Sequence, residues 1–179
     1  MATTGNADIR ERLEEILSRR IMILDGSMGA LIYTYQLNEE DVRGQRFARH
    51  PLGIKNCTEA LVLTQPKIIE DIHRAYLEAG ADIIETDTFN GTAVSLEEFG
   101  LQEYVFELNK SAAELARRAA DEFTRKNPDK PRFVAGSIGP TKKQLSMGIH
   151  VDDPGRRDTT FDEMVASYLE QIQIGRAHV

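Results

Sequence analysis

Three short apolar segments, each cut off by glycine and small polar residues, constrain this chain more than any other feature. Ile21-Met22-Ile23-Leu24 stops at Asp25-Gly26; Asp82-Ile83-Ile84-Glu85-Thr86 stops before Asp87-Thr88; Phe133-Val134-Ala135 stops at Gly136-Ser137. Each is too short for a helix of ordinary length and reads as a buried strand. Helical periodicity separates them. Ile68, Ile69, Ile72, Tyr76 and Leu77 share one face of a helix that Pro66 opens and Gly80 stops. Tyr104, Leu108, Ala112, Leu115, Ala119 and Phe123 recur along a second helix, ended by Pro128 and Pro131. Thr160-Phe161-Asp162-Glu163 is a capping box opening a third, with Met164, Val165, Tyr168, Leu169 and Ile172 on one expected core face. Alternating strands and helices predict an α/β fold with a parallel sheet.

A short amphipathic helix carrying Ile9, Leu13, Ile16 and Leu17 leads in, and Tyr33 to Ile54 reads as a long loop with one helical turn. The chain has 179 residues, enough for one domain with a core. A net charge of -7 argues against a large phosphate-binding footprint, so no nucleic-acid partner is expected. The N-terminus lacks the apolar stretch of a secretory signal, and no apolar run is long enough to span a bilayer. A single cysteine, Cys57, excludes an internal disulfide framework and fits a reducing, cytoplasmic setting. The domain is expected to cover residues 1–173. Ile174-Gly-Arg-Ala-His-Val179 matches one reading frame of a sequencing adapter and is expected to be an assembly remnant at 174–179.

Polar groups gather where the strands end: Asp25-Gly26-Ser27, then Thr86-Asp87-Thr88-Phe89-Asn90-Gly91, then Gly136-Ser137-Ile138-Gly139-Pro140. The C-terminal ends of parallel strands are where α/β folds hold ligands. A lone carboxylate such as Asp25 suits an ammonium group, and hydroxyls with backbone N–H groups suit a carboxylate. Together they describe a site for a small amino acid. Turn chemistry alone also accounts for such residues at any one strand end. Other candidates read as structural. His73 stands among apolar neighbours and is a helix–sheet contact. His50, His150 and His178 are dispersed, and Cys57 is a small buried residue. Glu97 and Glu98, adjacent on a helix, do not face each other. The glutamates and arginines of residues 10–20 form a solvated face.

The segments RIMILDGSMGALI, LNEEDVRGQRF, LTQPKIIEDIHRAYLEAGADIIETDTFNGT, RFVAGSIGPT and TTFDEMVASY, in this order, resemble the homocysteine S-methyltransferase domain. The RGQRF segment and the long loop before Thr160 are similar in style to the cobalamin-dependent methionine synthases. The resemblance implies a (β/α)8 TIM barrel, of which this chain is a partial one: the N-terminal helix and about the first three βα units. It implies methyl transfer from methylcobalamin, ultimately from methyltetrahydrofolate, to a zinc-bound homocysteine thiolate, giving methionine. The cobalamin and folate domains would belong to the same full-length chain. By motif match, Asp25, Gly26, Thr86 and, more loosely, Asn90 carry over as substrate-binding residues.

Three departures matter. The family's zinc cysteines lie in later strands, and Cys57 matches none of them, so neither zinc nor turnover is expected of this chain alone. Ser27 stands where glycine is commoner. Asp87 stands where asparagine is commoner, and would disturb a thiolate site if it pointed inward. Two alternatives stay open: a non-catalytic amino-acid-binding module, and a betaine- or methylmethionine-dependent relative.

Overall fold

The computed structural model describes residues 4–145, 152–153, 155 and 157–179; His150 and much of the long loop before Thr160 lie outside the described residues. Among the described residues the order begins α1 (Thr4–Arg19), α2 (Met28–Thr34), α3 (Glu39–Arg43), α4 (Leu61–Thr64), α5 (Pro66–Ala79) and β1 (Ile83–Glu85). It continues with α6 (Ala93–Leu96), α7 (Val105–Lys126), β2 (Phe133–Ala135) and α8 (Phe161–His178). β1 and β2 pair in parallel, with Ile84 opposite Val134, and Leu24 forms a parallel bridge to Ile83 on the other side. The three apolar segments therefore lie side by side in chain order.

Local chemistry sets the helix ends. Gly80 closes α5 at φ +107°, where a side chain would be strained. Arg125 and Lys126 sit in the last turn of α7, where cations suit the helix dipole. Thr160 and Glu163 make both reciprocal bonds of the expected capping box, at 3.2 Å and 2.7 Å.

Packing follows from which faces are apolar. The larger core gathers Ile54, Leu61, Ile69, Ile72, Leu96 and Leu108 between α4, α5 and α7. A smaller one joins Leu77 and Ile84 to Ala116, Ala119 and Ala120. Those alanines let α7 approach β1 and α5 closely. Each fully buried leucine or isoleucine contributes on the order of 1.5–3 kcal/mol. Cys57 and His73 are fully buried, as expected of structural residues. No helix among the described residues is long and apolar enough to cross a membrane.

Two expectations are corrected. Ile21–Leu24 is not a buried strand: only Leu24 bridges, and Ile21 stays 82% exposed. An apolar run is buried only when layers cover both faces, and α1 does not supply one, since Ile9 and Leu17 are also exposed. Arg20 is exposed, as the solvated-face reading expects, yet it also makes a tertiary ion pair. Its guanidinium forks onto the buried Asp82 carboxylate with both bonds at 2.8 Å, and Asp82 also accepts from Ile23 N. Burial works to raise the Asp82 carboxyl, but Arg20 and the Ile23 N–H outweigh it and hold it below its ordinary value. On α8 the buried positions are Met164, Ser167, Gln171 and Ile174, while Val165, Leu169 and Ile172 face outward. The helix ends at His178, and Ile174 packs in the larger core. The polar face wins because Ser167 and Gln171 find backbone partners inward, and the apolar stripe finds no covering layer among the described residues.

Candidate functional site

The sheet is short, and its C-terminal edge is where the predicted residues stand. Asp25 leaves the first segment with its N–H on Ile83 O at 2.9 Å. Its Oδ2 accepts from Glu85 N at 3.0 Å. Its Oδ1 is buried and has no hydrogen-bond partner among the described residues. Burial raises its pKa from 3.8 to about 6, the Glu85 carboxylate adds to the rise, and the Glu85 N–H opposes it. A carboxylate oxygen in that state costs free energy until a cation or donor reaches it.

Thr86 is more committed. Its N–H donates to Ala135 O, and its Oγ1 accepts from Ser137 N at 3.0 Å. Its own proton goes to Thr88 Oγ1 at 2.7 Å, because Thr88 donates onward to Ser137 O. The hydroxyl pair stitches the ends of β1 and β2 together and leaves Thr86 one free lone pair. Asn90 is anchored by Glu59, whose Oε1 accepts from Asn90 N at 2.8 Å and Nδ2 at 3.0 Å. Asn90 lines a cavity of about 460 Å³ with Asn56, Val94 and Lys143, while Thr86 lines a separate one of about 260 Å³ with Ser137 and Gln171. Asp25 and Gly26 line neither. The four predicted residues thus share the sheet edge without sharing one cavity.

Asp87 points inward. It is buried, its Oδ2 has no partner among the described residues, and burial together with the Glu59 charge holds its carboxyl well above the ordinary range. Glu59 was not foreseen as part of the site, although it is nearly fully buried and ties the Asn90 loop down. Cys57 Sγ donates to Glu59 Oε2 at 3.8 Å, and burial and the Glu59 charge push its thiol pKa up, so it is no thiolate. Glu98 and Glu97 pair with Lys142 and Lys143, not with each other. His50 Nε2 lies 2.7 Å from Phe99 O.

Two clamps escaped the sequence reading. Gln171 Nε2 donates to Thr88 O at 2.6 Å, and Asn109 Nδ2 to Gly91 O at 2.7 Å. Both hold the loop after β1 from helices behind it. The only signal was a polar pair, Ser167 and Gln171, at i,i+4 on α8.

The sequence profile of homocysteine S-methyltransferase matches residues 22–179. This chain belongs to the homocysteine S-methyltransferase family. Its fold is similar to that of the homocysteine methyltransferase MmuM from Escherichia coli. The oxidized form matches at TM-score 0.66 and 21% identity, over 93% of this chain and 53% of that one. The metallated form gives the same TM-score and identity, over 93% and 54%. The chain spans about half the length of these structures. Among the described residues no group of three or more His, Cys, Asp and Glu side chains is placed to hold a metal ion. Among the described residues, with Cys57 buried against a carboxylate and His73 in the apolar core, no set of side chains fits a zinc centre.

Proposed function

We propose that this chain is the N-terminal part of a homocysteine methyltransferase barrel, about its first three βα units, whose parent makes methionine in the cytoplasm. The observation that carries the reading is the unpartnered Oδ1 of Asp25 at the C-terminal edge of a parallel sheet, in a chain of this family. Asp25 receives the ammonium group of homocysteine, and the Gly26 backbone borders it. Thr86 and Asn90 border the remainder of the amino acid. The methyl donor is methylcobalamin, recharged from methyltetrahydrofolate on further domains of the full-length protein; the RGQRF segment supports this over betaine or methylmethionine. The zinc that would activate the thiol belongs to residues outside this chain.

In the full-length protein, Asp25→Asn should weaken homocysteine binding at least about tenfold, the loss of one charge-assisted hydrogen bond. Unchanged affinity by titration sinks the assignment. The donor is decided by assaying methylcobalamin, betaine and S-methylmethionine in parallel, and turnover with either of the latter alone removes the cobalamin reading. The 179-residue chain itself should hold no stoichiometric zinc after dialysis and transfer no methyl group; zinc or turnover in it overturns the half-site reading.

A further inference from the structure

We infer that Tyr76 is a positioning residue of this site: its side chain fixes the Asp25-Gly26-Ser27 turn in the shape that keeps Asp25 Oδ1 unpartnered for a substrate ammonium group. The inference rests on the reading of Asp25 proposed above. Tyr76 stands in the last turn of α5, and its backbone is locked there, with Gly80 N and Ala81 N both donating to its carbonyl. Its ring packs between the two apolar cores. From that base the hydroxyl reaches back along the sequence and donates to Ser27 O at 3.2 Å.

Tyr76 also occupies the space that a side chain at Gly26 would need. A Cβ there would stand 3.0 Å from the hydroxyl oxygen and 3.4 Å from Cε1. Glycine and tyrosine are thus a matched pair. Burial and then the Asp25 charge raise the Tyr76 pKa, so the hydroxyl stays a protonated donor.

Among the described residues the turn is held at four points, the first being the Asp25 N–H on Ile83 O. Glu85 N fixes Asp25 Oδ2, Tyr76 fixes the Ser27 carbonyl, and Ser27 Oγ accepts from Ala30 N at 3.2 Å to cap α2. Of these, only the Tyr76 bond comes from a side chain that is remote in sequence and can be trimmed by one atom. Losing it frees the turn to rotate without emptying the core, since the phenyl ring remains.

The test is steady-state kinetics of the full-length protein. Tyr76→Phe is expected to raise the homocysteine KM about fivefold, with kcat within twofold and Tm within a few degrees. Gly26→Ala should raise KM in the parent protein and raise it by a smaller factor in the Tyr76→Phe background, where the crowding oxygen is gone. Asp25→Asn is measured beside them. If Asp25→Asn raises KM and Tyr76→Phe leaves it within twofold, the positioning role is overturned and the substrate site stands. If Asp25→Asn has no effect, the substrate site fails and the positioning role with it. A lowered Tm or kcat with KM unchanged marks a merely structural tyrosine and also overturns the inference.

Discussion

Asp25 is held half in and half out of water, and its ionisation couples binding to pH. An ammonium group needs the carboxylate form, so homocysteine affinity should rise with pH up to about 6 and level off above it. Asp25→Asn should abolish that dependence, and a titration series between pH 5 and 8 reads it directly. In the empty protein the sign is reversed. A folded pKa raised above its ordinary value means that ionisation opposes folding as pH climbs from 3.8 to about 6. His73 makes a complementary prediction. Both its ring nitrogens are buried without partners among the described residues, and burial lowers its pKa from 6.5 to about 4. The unfolded chain takes up the proton first, so stability should fall as pH drops from 6.5 towards 4, by on the order of 3 kcal/mol. His73→Leu should remove that part of the slope in denaturant melts; an unchanged slope would show that the imidazole is not the group responsible.

At the scale of elements, the loop after β1 is held by α7 and α8 through Asn109 and Gln171. Gly91 sits between them. A Cβ at that position would stand 2.7 Å from Asn109 Oδ1 and 2.9 Å from both Gln171 Nε2 and Thr88 O. Gly91→Ala should therefore destabilise by about 1–3 kcal/mol, the ordinary cost of overpacking. Because the clamp positions Thr88 and Asn90, homocysteine affinity in the full-length protein should fall with it. A melt within experimental error of the parent would mean that the loop yields at no cost. Thr160 and Glu163 act at the other end of the same assembly, fixing where α8 begins and so which of its faces meets Thr88.

At the scale of the whole molecule, apolar surface is left over on two sides. Ile21, Ile23 and Leu24 are exposed beside one sheet edge, and Phe161, Val165, Leu169 and Ile172 along α8. Strand edges and contiguous apolar patches of this kind promote self-association. The 179-residue chain should bind a hydrophobic dye and elute with a concentration-dependent apparent size. A monodisperse monomer with a cooperative thermal transition and no dye binding would count for the self-sufficient module reading instead.

The α5 and α7 helices, both strands β1 and β2, and the α8 cap could be read from residue order, because periodicity, Pro66, Gly80 and the Thr160–Glu163 spacing are local properties. Asp25 was also legible, as a lone carboxylate where an apolar run breaks off. Burial of that run was not legible, because a strand is buried only by what lies on its two faces. Nor was the orientation of α8: its apolar stripe was plain, but Gln171 turned inward to reach a carbonyl 83 residues earlier in the chain. Asp87 and Glu59 were readable as residues only. Their shared burial, and the lifted Asp87 pKa that follows from it, exist because the fold brings two carboxyl groups into one dry space, and no sequence spacing encodes that meeting.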